Sequence, residues 1–251
     1  MLKNYPILVA VVLCIICDIC SGALPSNINK CKISNHVCIA KSINDVLRLY
    51  PKGHPSFGLI DITAIKRPKI ILAENKNNHK SSVGFNLIIE NAVLNGLENA
   101  KVTSVSGFDP NISKITVNAE IMNLKLSGDY TVNGNILLLQ LKGKGKAEFK
   151  STRTTCKAMA DVKLEKRNGK NYLAIDRLKI DIQPHDLHMR LDNLFDGNKE
   201  LTESLNETIN KNWRDFWMEL RDHANDAMAD LARSVLKSAF DNLPYDDFYI
   251  N

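Results

Sequence analysis

The chain has 251 residues, 44% of them hydrophobic and 24% charged, with a formal net charge of +5. That is enough apolar material to bury one substantial core, and no linker, low-complexity tract or short repeat divides it, which excludes a disordered chain and a repeat array. One domain over 24–251 is expected, behind a leader over 1–23.

The leader is read from Lys3, an apolar block from Ile7 to Cys17, and the small residues Ser21, Gly22 and Ala23. The block is too short to span a bilayer, so the pattern predicts a secretory signal cleaved near Gly22 or Ala23. A retained N-terminal anchor is disfavoured by that length and by Asp18. The mature protein is expected to be secreted and extracellular.

Cysteine usage agrees with that compartment. Removing Cys14, Cys17 and Cys20 with the leader leaves Cys31, Cys38 and Cys156. A Cys31–Cys38 bridge would close a small polar loop and contribute about 2 to 3 kcal/mol in the chain-entropy model. It would hold the N-terminus onto a short helix in which Ile39, Ile43, Val46, Leu47 and Tyr50 share a face and Pro51 is the stop. Cys156 is left without a partner and reads as a buried small hydrophobe.

Between Ser82 and Leu191 the apolar residues alternate: Val83, Phe85, Leu87, Ile89; Ile115, Val117, Ala119, Ile121; Ala158, Ala160, Val162, Leu164; Leu178, Ile180, Ile182. This is the pattern of antiparallel strands with one wet face, on which Lys157, Asp161, Lys163 and Glu165 would sit. Lys142, Lys144, Lys146, Lys150 and Lys157 could form one basic strand face. Gly143-Lys-Gly145-Lys lacks the spacing of a phosphate cradle and reads as a place where a curved strand bends. His185 and His188 would point to opposite faces of a strand, so no metal site is expected there.

From Asn193 to Phe240 the period changes. Leu201, Leu205, Ile209, Trp213, Phe216, Trp217, Leu220, Ala224, Ala227, Leu231 and Val235 step by three or four. The spacing predicts one helix of about 60 Å at ~1.5 Å per residue, whose apolar stripe something long must cover. The expected architecture is α+β: a long C-terminal helix wrapped by a highly curved antiparallel β-sheet. Two glycosylation acceptors fit secretion, Asn111 in Asn-Ile-Ser and Asn206 in Asn-Glu-Thr, the latter expected on the exposed side of the helix.

Several motifs occur in an order that belongs to a known family. They are Cys31 and Cys38, Asn91-Ala-Val-Leu-Asn-Gly96-Leu97, Gly128-Asp-Tyr130-Thr-Val-Asn-Gly134-Asn-Ile-Leu137, Gly143-Lys-Gly145, and Asn193-Leu-Phe-Asp-Gly197 through Asn210-Lys-Asn-Trp213-Arg-Asp-Phe216. The chain resembles the takeout / haemolymph juvenile hormone binding protein family of insects over essentially its whole mature length. The resemblance implies a hydrophobic tunnel along the helix that encloses a small hydrophobic ligand. Two departures bear on juvenile hormone itself as that ligand: Asp61-Ile62-Thr63 lacks the family's proline, and Cys156 lacks the partner of a second disulfide.

A sheet rolled around one helix can leave such a space, and apolar area alone supplies affinity at about 25 cal/mol per Å². Trp213, Phe216, Trp217 and Leu220 from the helix and Phe85, Leu87 and Tyr130 from strands are the expected lining, with core packing as the competing role of each. The Tyr130 hydroxyl could bond a ligand oxygen or cap a backbone carbonyl. No hydrolase elbow, zinc-protease, P-loop or dinucleotide motif is present, so an enzyme is not expected and no cofactor is implied. Nucleic acid is not an expected partner. The function expected is a secreted carrier of a small hydrophobic ligand such as a terpenoid, fatty acid or other lipid. A lipid-transfer protein making transient contact with anionic membranes and a secreted signalling protein with a protein partner are the alternatives.

Overall fold

The computed structural model describes residues 24–74, 84–136 and 139–250. The leader with Cys14, Cys17 and Cys20, and Val83 of the first expected strand, lie outside the described residues.

The short N-terminal helix, α1, spans His36–Leu49; Asn35 caps its start by accepting from the Cys38 N–H, and the backbone turns out of the helix at Tyr50. Cys31 and Cys38 are bridged, which ties the incoming chain to the first turn of α1. Among the described residues seven strands follow: β1 (Ala64–Ala73), β2 (Phe85–Asn95), β3 (Ala100–Ser106), β4 (Lys114–Ile136), β5 (Leu139–Arg167), β6 (Lys170–Pro184) and β7 (His188–Leu191). All pair antiparallel in one sheet of order β1-β2-β4-β5-β6, with β3 added on β4 and β7 added on β5.

β4 and β5 form one very long hairpin, from Lys114 opposite Asp161 to Ile136 opposite Leu139. Each serves two partners in turn. β4 pairs first with β3 and then, from Lys125 onward, with β2; β5 pairs with β7 through Ala147–Lys150 and then with β6 from Thr154. The exchange falls where the strands are irregular: Asn123 has φ +55°, and the buried positions of β5 slip from Phe149 and Ser151 to Thr154. A one-residue slip turns the next stretch of strand over, so the two ends of the molecule are built from different halves of the same hairpin.

The slip also places Lys157 on the same outer face as Lys142, Lys144, Lys146 and Lys150. That face is not uniformly basic: Lys142 lies 3.5 Å from Asp196, Lys146 pairs with Asp129 at 2.5 Å and Lys150 with Glu148 at 2.5 Å. Gly143 and Gly145 serve close approach rather than bending. A Cβ at Gly145 would sit 2.4 Å from the Asp192 carbonyl oxygen and one at Gly143 3.0 Å from the Leu194 Cα, so the chain after β7 can lie directly on β5.

The C-terminal helix corrects one expectation. It is two helices, α2 (Lys199–Lys211) and α3 (Trp213–Asn242), separated at Asn212, where φ −113° and ψ 31° leave the helical region. Asn212 closes α2 with its own N–H and its side-chain amide, both donated to the Thr208 carbonyl at 3.1 and 2.9 Å, and its carbonyl then accepts the first bonds of α3. The apolar stripe runs on across this break through Ile209, Phe216, Trp217, Leu220 and Leu231, all buried, but Leu201 at its start is half exposed. On β5, Leu164 is 37% exposed.

Asparagines fasten the helices to strand edges. Asn206 of α2 accepts from the Leu191 N–H and donates to the Leu191 carbonyl, both at 2.9 Å, and Asn210 does the same to Met189 at 2.8 Å. Spaced by one helical turn, the two amides act as a surrogate strand for the free edge of β7. Asn44 of α1 treats Val102 of β3 in the same way, at 2.7 and 2.9 Å. This overturns the exposed position expected for Asn206, which is only 4% exposed; a glycan on its Nδ2 would displace donated bonds that hold α2 to the sheet. Asn111, between Pro110 and β4, remains on the surface.

Candidate ligand-binding cavity

Inside the wrapped sheet two apolar spaces follow α3, whose residues from Trp217 to Phe240 contribute to one or the other over about 35 Å of helix. The inner one has a volume of about 110 Å³ and is walled by Ile70, Leu72, Leu94, Leu126, Phe149, Ile182, Trp217, Leu220 and Leu231, among others. The larger, of about 380 Å³, lies beyond it toward the end of α3. Five elements wall the larger space: Ile39, Ile43, Val46 and Leu47 of α1; Ile115 and Val117 of β4; Ala158, Ala160 and Val162 of β5; Leu173, Ile175 and Leu178 of β6; Val235, Leu236, Ala239 and Phe240 of α3. Phe248 and Tyr249 after α3, and Phe57, Ile62 and Phe108 from the connecting segments, add to it.

Local sequence explains each wall. The Cys31–Cys38 bridge fixes α1 so that its apolar face turns inward, and the C-terminal segment is stitched beside it by hydrogen bonds from Cys31 N–H to the Phe248 carbonyl and from Ile250 N–H to the Cys31 carbonyl. Tyr245, Phe248 and Tyr249 pack edge to face, with the Tyr249 hydroxyl 2.8 Å from that of Tyr245. Burial pushes the Tyr245 and Tyr249 phenols above their ordinary value, so both remain neutral donors. Volume exists here because inward positions carry small side chains, namely Ala158, Ala160, Ala239 and Ser42.

The inner space has a polar side. The Thr154 hydroxyl donates to Ser151 Oγ at 2.9 Å, and the Ser151 hydroxyl in turn reaches the Arg153 carbonyl at 2.9 Å and Asp186 Oδ1 at 3.1 Å. Trp217 borders the same space, and its buried Nε1–H meets no acceptor among the described residues. Asp186 also accepts from the hydroxyl and the N–H of Thr152, which hold its carboxyl below the ordinary value.

The residues expected to line the tunnel divide between cavity and core. Trp217 and Leu220 do border the inner space. Phe85, Leu87, Tyr130 and Phe216 lie instead in a dense cluster with Ile89, Val132, Leu194 and Ile209, with Trp213 packed against it, and none of these five borders either space. Most of their neighbours are large and cover the few alanines among them, so the same apolar stripe that walls a cavity further along is solid core here. Tyr130 takes the structural option: its hydroxyl donates to the Asp192 carbonyl at 2.7 Å, and burial raises its pKa. Sequence reasoning missed α1 and the C-terminal aromatics as cavity wall. The signal available was the run of inward alanines in β5. Cys156 is half-buried and its thiol is pushed up to about 11 by burial and by Asp181, so it stays protonated.

Comparison with known proteins places this geometry in context. The family model described as Haemolymph juvenile hormone binding protein (JHBP) matches residues 8–250. The chain is 27% identical over 234 residues to the circadian clock-controlled protein daywake of Drosophila yakuba, covering 91% of this chain and 89% of the relative. It is 26% identical over the same length to daywake of Drosophila melanogaster. The crystal structure of Epiphyas postvittana Takeout 1 superposes with a TM-score of 0.76 at 22% identity, covering 87% of this chain and 97% of that one, which establishes a shared fold.

Proposed function

Because the chain belongs to the haemolymph juvenile hormone binding protein family, we propose that it is a secreted carrier that holds one small hydrophobic molecule, of terpenoid or fatty-chain type, in the larger cavity. The observation that carries this reading is the cavity of about 380 Å³ walled almost wholly by aliphatic and aromatic side chains. That volume lies in the range of small-molecule sites, and a chain removing roughly 300 Å² from water gains roughly 7 kcal/mol before ordering costs. Secretion is supported by the leader pattern and by the Cys31–Cys38 bridge, which needs an oxidising compartment. The carboxylates interleaved with the β5 lysines favour a soluble carrier over a protein docked on anionic membranes.

Native mass spectrometry on protein secreted from insect cells, with solvent extraction of whatever co-purifies, tests the reading. One small apolar molecule per chain is expected. A chain that is empty and refuses added terpenoids and fatty acids contradicts it.

A further inference from the structure

Beside the larger cavity lies a charged groove of about 200 Å³, formed by Glu165, Arg167, Arg233, Lys237 and Asp241 around Leu173, Ala174, Ile175 and Phe240. Leu173, Ile175 and Phe240 also line the cavity, so the two spaces adjoin along these side chains. The charges of the groove do not cancel. Glu165 is taken by Arg167 at 3.2 Å and by Lys163 at 3.6 Å; Asp241 is taken by Arg167 at 3.3 Å and by Lys237. Arg233 has no carboxylate within ion-pair distance among the described residues, and its guanidinium makes a single bond of 3.3 Å to the Ile175 carbonyl. Three cations of the groove therefore face two carboxylates, and the cation left over sits beside the side chains that the groove shares with the cavity.

We propose that this groove receives the anionic head of a single-chain amphiphile whose hydrocarbon tail occupies the larger cavity, with Arg233 as the residue that binds the head. A guanidinium offers a planar fork of N–H donors that fits a carboxylate or phosphate, and its half-sheltered position keeps the pairing from being fully screened. A tail alone gives affinity without direction; an anion fixed at Arg233 orients the chain with its tail toward α1. The inference rests on the carrier reading and names the ligand class within it.

The test is displacement of a fluorescent hydrocarbon probe at low salt by palmitic acid, by hexadecanol and by palmitoyl lysophosphatidic acid. The wild type is expected to bind an anionic lipid about tenfold more tightly than the alcohol, and the preferred anion tells a carboxylate head from a phosphate one. Arg233→Gln is expected to abolish that preference while leaving the alcohol unchanged, and Arg214→Gln, which removes an exposed charge over the Trp213 ring at the other end of α3, is expected to keep it. Equal binding of acid, phosphate and alcohol by the wild type overturns the inference and leaves the carrier reading standing, as does an Arg233→Gln protein that retains the preference. Failure of all three lipids to displace the probe overturns the inference, and a protein that also takes up neither the probe nor added terpenoids overturns both.

Discussion

The two ends of the wrapped sheet are made from the same β4–β5 hairpin and are both apolar, yet one is solid and the other hollow. At the solid end, Phe85, Ile89, Tyr130, Val132 and Leu194 are almost completely buried against one another and against Phe216 of α3. At the hollow end the inward positions of β5 include Ala158 and Ala160 beside Val162, and α3 presents Ala239 among Val235, Leu236 and Phe240. The difference teaches that small inward side chains enclose space only where no large neighbour fills it: Ala73, Ala92 and Ala147 at the solid end are covered by the aromatic and aliphatic side chains around them, whereas Ala158, Ala160 and Ala239 border open volume.

The comparison can be broken most directly by equal truncations at the two ends. Phe216→Ala, in the solid cluster, is expected to cost about 3 to 5 kcal/mol in urea unfolding, because rigid neighbours leave a new void. Phe240→Ala, at a wall that already faces open volume, is expected to cost about half as much. Equal losses would erase the distinction.

The next effect concerns how each end is held. Asn206→Ala strips the Leu191 N–H and carbonyl of their partner and is expected to cost about 2 kcal/mol, with faster hydrogen exchange at the Leu191 amide. Exchange unchanged from wild type would show that α2 does not secure β7. The smallest effect is one of pH at the boundary between the ends. Asp186 is held below its ordinary value of 3.8 chiefly by the Thr152 hydroxyl, so its contribution is complete above that value and is lost as the pH falls through the lower folded value. Wild type should therefore lose stability more steeply than Asp186→Asn in acid urea titrations, and parallel curves would deny the carboxylate that role.

Much of this architecture is legible in the residues. Alternation marks segments of β2, β4, β5 and β6, because each has one face on the core, and the helical stripe is continuous from Leu205 to Val235. The break at Asn212 is invisible to that stripe, since it falls on an exposed polar position between Ile209 and Trp213 and depends on an asparagine amide closing one helix while its carbonyl opens the next. Leu201 matches the period but lies in the first turn of α2, beyond the reach of the sheet. Aromatic residues mark where apolar surface is greatest, and around Phe85, Tyr130 and Phe216 that surface is spent on core; the space opens beside Ala158, Ala160 and Ala239, which the aromatic pattern does not single out. Asn206 shows the opposite failure, a surface motif in sequence that tertiary pairing turned into a buried clamp.

The central claim, that the ligand space is the alanine-lined end near α1, is tested most directly by a crystal structure of the protein loaded with a brominated fatty chain. Anomalous density from the bromine and its chain should lie among Ala158, Ala160, Ile43 and Ala239. Density among Phe85, Tyr130 and Phe216, or none at the hollow end, would contradict the account.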